Sequence, residues 1–428
     1  MRKGNVGTGQ VERIVFLTPR PINDYEEDKW AFTYLRSQGF TIEVIDLSGI
    51  LNKGHDLREL VAKPLLGDFI HCVSSYSDFE ELVKIFVGDS IFIDYLVAHS
   101  NVSLKVERIF RILKRQDAKY VFLSSGALPL PARPIGQVRE KISILKAKLL
   151  KAMLDPGLLL NYLASKVIVL LTRLRVLYPL PMVIFGGNSE VLQRFIEARC
   201  LSKSDVILIN SFDFDNSVRF ARSLGDKMPA EEEICVFLDE AATHHSDFAV
   251  LGMDPADSEV YFTSMNRYFD FVENSTGLRV IIAAHPRSHY ESMPDVFGGR
   301  EIVKGKTVEL VAKCKLVVMH MSTSLSYVVL FKKPVIPVKI PGMPLSCNMN
   351  KMVDVFASAI GTSSVDISKD EFSTLSLIRG YDAAKYDEYR DRYVKTIGAE
   401  ELPEWEIVAK FLKNLNLEMQ TGSSPCST

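Results

Sequence analysis

The sequence predicts an α/β chain of two Rossmann-like domains facing a central cleft. Three observations carry that expectation. Short apolar runs alternate with amphipathic stretches along the chain, as parallel sheets covered by helices require. The apolar runs exceed what one doubly wound sheet holds comfortably, so they divide between two. A length of 428 residues suits two to three domains, and 47% apolar residues provide the cores.

Taken in order, Arg13–Leu17, Thr41–Leu47, Asp68–Val73, Tyr120–Ser124, Met182–Phe185 and Val206–Asn210 read as buried strands of the first domain. Ile234–Leu238, Leu278–Ala283, Leu316–Met319 and Pro334–Val338 read as those of the second. Asp28–Ser37, Phe79–Phe86, Ser189–Ala198 and Val260–Asn274 carry helical patterns between them. The acidic, Pro-containing run Gly225–Glu233 marks the link, giving domains 1–230 and 231–402. A helix over 403–418 is placed to cross back to the first domain, and the polar tail 419–428 reads as disordered.

Fifty-one Lys+Arg against 53 Asp+Glu leave a net charge of −2, which excludes a basic nucleic-acid coat and an acidic disordered chain. The six cysteines are scattered without a CxxC pair, so neither a disulfide framework nor a zinc site is expected. The first residues reach a strand-like run without the apolar segment of a signal peptide, which predicts a cytoplasmic protein.

In open α/β sheets ligands bind beyond the carboxyl ends of the strands. Three such ends in the second half concentrate reactive side chains. Asp239 and Glu240 follow the run ICVFL, where partial desolvation raises a carboxyl pKa toward the range of a general base. An acid after a strand also serves as a turn or cap residue. His285, Pro286 and Arg287 follow LRVIIAA, and an imidazole beside a guanidinium suits a phosphate. Alone, a His-Pro pair is a hydrogen-bonded turn. Ser322, Thr323 and Ser324 open a helical pattern after LVVMHM, where hydroxyls cap a helix or join its free N–H groups in holding an anion.

The order of these three elements, across Ile234–Val338, resembles the bacterial GT-B glycosyltransferases that use CMP-activated acidic sugars. These are the sialyl-, polysialyl- and Kdo-transferases of capsule and lipopolysaccharide assembly. The resemblance implies that Asp239 or Glu240 is the base, that His285-Pro286 and Arg287 bind the nucleotide phosphate, and that Ser322, Thr323 and Ser324 complete the nucleotide site. Ala241 stands where those families have glycine. In UDP- and GDP-sugar GT-B enzymes a Glu lies seven residues before the proline of a Gly-x-Pro-Val-Ile run. Here that position is Tyr327, and Lys332 replaces the glycine, which favours a CMP donor. The implied reaction is an inverting transfer of an acidic sugar to a surface polysaccharide or lipid-linked glycan. No metal or cofactor is expected, since protein donors suffice for a single phosphate leaving group. No nucleic-acid partner is expected either. Two other readings stay open: a CDP-glycerol-type transfer on the same scaffold, and a silent GT-B-like glycan-assembly protein.

Other candidates are weaker. His244 and His245 follow the acidic pair and are assigned to the acceptor side. His320 either meets the donor phosphate or ends its strand. Asp213 and Asp215 form an Asp-x-Asp triplet with the spacing of a metal-diphosphate site, although a structural role suits them better.

Residues 133–175 hold nine Lys/Arg against Glu140 and Asp155, a local excess of seven positive charges in a leucine-rich run. Asp155, Pro156, Asn161 and Lys166 break the run well short of the ~20 apolar residues of a spanning helix. The segment either packs on its own domain with a solvated basic face or lies on an anionic membrane surface. On the membrane reading, vesicles containing anionic lipid retain the protein, salt releases it, and neutral vesicles retain little. Replacing Lys141, Lys146, Lys148 and Lys151 with Gln then moves it to the soluble fraction in a sedimentation assay. Equal retention by both kinds of vesicle, or by neither, assigns the stretch to its own domain.

Overall fold

A computed structural model describes residues 11–51, 64–96, 104–124, 128–129, 167, 183–186, 206–225, 229–245, 248, 254–293, 295–344, 347–368, 372–374 and 380–421. The chain divides into two compact units. The first takes the described residues up to Ile209 together with Glu404 onward, and the second takes Asn210–Pro403 with Gly126–Pro131. The basic stretch 133–175 lies outside the described residues except for Val167, as do the helical pattern at 189–198 and the chain past Thr421. Among the described residues no helix is long and apolar enough to cross a membrane.

The first unit is built on a seven-stranded parallel sheet. Its strands are β1 (Arg13–Thr18), β2 (Thr41–Asp46), β3 (Ile70–Cys72), β4 (Ser90–Asp94), β5 (Lys119–Ser124), β6 (Val183–Gly186) and β7 (Val206–Ile209). The order β3-β2-β1-β4-β5-β6-β7 is doubly wound, with its switch point between β1 and β4. Strand β1 reads as a continuous apolar run because the sheet is covered on both faces, and Ile14 to Leu17 are all buried. The sequence reading missed β4, whose SIFID run is just as buried and central. It also placed one helix over 28–37. The chain instead makes α1 (Asp24–Lys29) and α2 (Phe32–Ser37), broken at Ala31 with φ +49°. The break seats Trp30 flat against Phe16, ring centroids 4.9 Å apart. Along the sheet follow α3 (Ser48–Leu51), α4 (Tyr76–Phe86) and α5 (Leu104–Arg115).

The second unit carries five parallel strands in the order β10-β9-β8-β11-β12. They are β8 (Ile234–Leu238), β9 (Arg279–Ala284), β10 (Ile302–Lys304), β11 (Leu316–Met319) and β12 (Val335–Pro337). The short edge strand β10, only half-buried, was not legible as an apolar run. Around the sheet stand α6 (Phe212–Leu224), α7 (Ser258–Thr276), α8 (Thr307–Lys313), α9 (Leu325–Leu330), α10 (Met349–Ala359) and α11 (Ala383–Tyr389). Helix α7 is bounded as its sequence dictates. Asp257 accepts the Val260 N–H at its start, and Gly277 takes φ +71° at its end. Helix α6 packs within this unit, with Asn216 donating to the Tyr327 hydroxyl (2.9 Å) and Phe220 meeting Phe331. The crossing between units therefore precedes α6, at Ile209–Asn210, ahead of Gly225–Glu233.

The last helix, α12 (Glu404–Thr421), belongs to the first unit. Trp405 reaches the Phe16 ring (5.3 Å) and donates its indole N–H to the Lys29 carbonyl (3.0 Å). Asn416 grips the Val11 peptide from both sides, accepting its N–H (2.8 Å) and donating to its carbonyl (2.9 Å).

A buried amide also ties the two crossings together inside the second unit. Asn210, at the entry, donates to the carbonyls of Glu400 (2.8 Å) and Leu402 (3.3 Å) at the exit and accepts the Thr396 N–H (3.2 Å). Removing this side chain strands buried backbone groups. Asn210→Ala is therefore expected to cost the second unit about 2–3 kcal/mol, read as a lower urea midpoint at unchanged slope. A midpoint shifted by less than about 0.5 kcal/mol of stability would show that the amide is dispensable.

Candidate functional site

Strand β8 occupies the centre of the second sheet, with β9 on one side and β11 on the other. The register sets Leu238 opposite both Ala283 and Met319, so the three strands end at one level. The sheet winds outward through β9 and β10, then returns to β11 beside β8. Its switch point lies between β8 and β11. The three candidate motifs thus emerge side by side on one edge.

Asp239 is buried, and its carboxylate holds that edge together. Oδ1 accepts the Ala241 N–H (3.0 Å) and the Tyr290 hydroxyl (2.9 Å), while Oδ2 accepts the His285 N–H (3.1 Å). Burial raises its pKa, and the N–H groups of His285 and Ala241 and the Tyr290 hydroxyl pull it back. Glu240 is only half-buried. Desolvation pushes its pKa up to about 8, opposed by a hydrogen bond from the Ser322 hydroxyl and reinforced by the neighbouring Asp239 charge.

On β9, the Nδ1 of His285 accepts the Arg287 N–H (3.2 Å), which places the ring proton on Nε2 as a donor. Burial lowers its pKa to about 3, helped by His245, Arg287, Lys304 and His244. Pro286 is exposed and Arg287 half-buried. His245 sets its ring 4.6 Å from that of His285. His244 stands edge-on to Tyr290 (5.1 Å) and 6.4 Å from His289, and desolvation lowers its pKa, with His289 and His245 adding to the effect. The acidic pair and the histidines therefore form one cluster. Tyr290, His289 and Lys304 belong to it and were not singled out from the sequence. Tyr290 follows His285 by five residues, but its bond to Asp239 spans 51 positions.

After β11, Ser322 is buried and bridges Glu240 to the start of α9, its Oγ accepting the Ser324 N–H (3.3 Å). Ser324 occupies the cap position without a side-chain cap bond, and Thr323 is exposed. His320 is an internal residue. Nδ1 bonds the Val338 carbonyl (2.8 Å), Nε2 bonds the Tyr261 hydroxyl (3.1 Å), and burial lowers its pKa to about 4. It ends its strand in the core. Asp213 and Asp215 sit in the first turn of α6, where acids complement the helix dipole, and Asp215 is buried. Among the described residues no group of three His, Cys, Asp or Glu side chains is arranged to hold a metal ion.

Ala241 and Lys332 both take left-handed backbone, at φ +48° and φ +54°. Each conformation costs a non-glycine residue about 1–2 kcal/mol.

The Glu240 shift has a consequence for stability. A carboxyl whose folded pKa is about 8 binds a proton that the unfolded chain has released above about 4.5. By linkage, stability falls as pH rises between those values. Glu240→Gln removes that slope, so urea midpoints at pH 5 and pH 8 should lie closer together in the variant than in the wild type. An unchanged difference would mean that Glu240 is not desolvated.

No protein-family model matches the chain, and no curated protein matches it. Among solved structures it is similar to the wall teichoic acid polymerase TagF (TM-score 0.47, 10% identity, 99% of this chain and 92% of that one). It is also similar to a putative UDP-N-acetylglucosamine 2-epimerase from Listeria monocytogenes (TM-score 0.46, 9% identity, 98% and 99%). A third similarity is to a glycosyltransferase from Rickettsia africae (TM-score 0.39, 10% identity, 96% and 100%).

Proposed function

We propose that the protein is an inverting, metal-independent glycosyltransferase that moves an acidic sugar from a CMP-linked donor to a glycan hydroxyl. One observation carries the reading. A half-buried residue, Glu240, its pKa pushed up to about 8, stands just past the central strand, between a phosphate-suited histidine turn and a hydroxyl-lined helix start. A base with its pKa near the working pH combines sufficient basicity with a usable ionised fraction.

In this mechanism Glu240 takes the proton of the acceptor hydroxyl as that oxygen attacks the anomeric carbon. The bond from the anomeric carbon to the CMP phosphate oxygen breaks, and its electron pair stays on CMP. The Nε2–H of His285, Arg287 and the Ser322–Ser324 turn stabilise that growing charge, where preorganised donors contribute most. Asp239 is the positioning residue. It is buried and already engaged by three donors, so it sets the level of β8 against β9 and does not meet the acceptor.

The test separates binding from chemistry. CMP is expected to bind more tightly than UMP or GMP in calorimetric titrations, with or without magnesium. His285→Ala weakens CMP by about 1.5–3 kcal/mol through loss of a charge-assisted contact. Glu240→Gln keeps CMP binding and lowers transfer roughly 10²–10⁴-fold, while the wild-type rate rises with pH toward about 8. Asp239→Asn lowers stability and CMP binding together, because an amide cannot accept from all three donors. An active Glu240→Gln beside a stable, CMP-binding but inert Asp239→Asn moves the base to Asp239. Turnover of CDP-glycerol without turnover of CMP-sugars replaces the donor, and an EDTA-reversible metal requirement defeats the mechanism.

A further inference from the structure

Outside the candidate site, the first unit carries a groove of about 690 Å³ between the parallel helices α4 and α5. Its basic wall follows from the α5 sequence LKVERIFRILKR, which holds five cations and one acid. The apolar residues Val106, Ile109, Phe110, Ile112 and Leu113 are buried, so Arg108, Arg111 and Arg115 fall on the open side. Residues 108 and 115 lie seven apart, about 10 Å along the helix axis.

The three arginines are not equivalent. Arg111 is tied to Glu107 by paired bonds of 2.8 and 3.0 Å. The acid of the opposite wall, Glu80, is taken up by Gln116 (2.9 Å) and Lys84 (3.6 Å). Arg108 stands over the Tyr76 ring, its guanidinium carbon 4.1 Å from the centroid. Arg108 also lines the groove, as a cation beside an aromatic wall. Arg115 is exposed at the far end.

We infer that this groove binds a linear polyanion, a chain bearing repeated phosphate or carboxylate groups, laid along α5 from Arg108 to Arg115. The two arginines leave the helix about 10 Å apart along its axis, a span that a chain with charges every few ångströms meets at both ends. The concave shape, with Tyr76 and Glu80 forming its second wall, fits a strand of polymer better than a flat lipid surface. The inference is independent of the nucleotide reading, since it concerns the first unit alone.

Full-length protein is titrated into a fluorescently labelled short inorganic polyphosphate, and anisotropy is followed over a series of salt concentrations. Binding is expected, and orthophosphate at the same total phosphate should fail to displace the chain. Arg108→Gln and Arg115→Gln should each weaken binding about tenfold and lower the log–log salt slope by about one. Lys351→Gln, an exposed charge on α10, should change neither. Both arginines are exposed, so wild-type thermal unfolding is expected in the variants and confirms that contacts, not the fold, were lost. Affinity that survives the double variant, displacement by orthophosphate as efficient as by the chain, or no binding at all overturns the inference. So does arginine-dependent retention on anionic lipid vesicles without polyphosphate binding, which assigns the face to a membrane.

Discussion

The carboxylate of Asp239 is the constraint on which the functional edge of the second unit depends. Three donors from separate places in the sequence converge on it: the backbone of Ala241 in the turn after β8, the backbone of His285 after β9, and the hydroxyl of Tyr290. A buried charge is tolerable only when such bonds replace water. The arrangement is therefore mutually enforcing. The donors keep the carboxylate compatible with its burial, and the carboxylate fixes where the turns can go. His285 reaches its orientation through this anchor and through the Nδ1 bond from the Arg287 N–H, and the two acids come to differ in burial because of it. One carboxylate is buried and accepts three donors, while its neighbour Glu240 is half-buried and bonded by Ser322.

Much of this edge was legible in the sequence, for a physical reason. Parallel strands end on one side of a sheet, so a reactive residue directly after an apolar run is placed by local sequence alone. Asp239, Glu240, His285 and the Ser322–Ser324 turn were found that way. Which of the two acids is internal was not legible, because adjacent residues differ only in direction, and direction is set by partners far along the chain. Tyr290 shows the same limit: its value lies in a bond to a residue 51 positions earlier. His320 shows the reverse. It looked reactive after a strand, but the Tyr261 hydroxyl and the Val338 carbonyl use both ring nitrogens.

The fold was legible where apolar runs were long and bounded, and less so elsewhere. Ile302–Lys304 escaped notice because an edge strand is half-solvated and carries little hydrophobic signal. The break between α1 and α2 escaped because alanine at φ +49° betrays nothing in the sequence. What holds it is tertiary: Trp30 packs on Phe16, which also meets Phe32 and Trp405. Ala241 and Lys332 follow the same logic. The chain accepts local strain where neighbouring contacts over-determine the backbone.

Desolvation acts on carboxyls and imidazoles of the edge in opposite senses, as Glu240 and His285 show. It raises Glu240 to about 8 and lowers His285 to about 3, so near neutral pH both are largely uncharged. Neither shift needs a special partner, since each follows from placing an ionisable group where water is scarce. Together they leave an edge with hydrogen-bond donors in place and little of its own charge to cancel an incoming anion. The Nε2–H of His285 donates without being an imidazolium, and an anion beside it favours protonation. The same anion would oppose ionisation of Glu240, so the two groups are coupled through whatever occupies the space between them. A negative ligand therefore favours the protonated form of both groups, and that coupling comes from burial at adjacent strand ends, before any residue is asked to react.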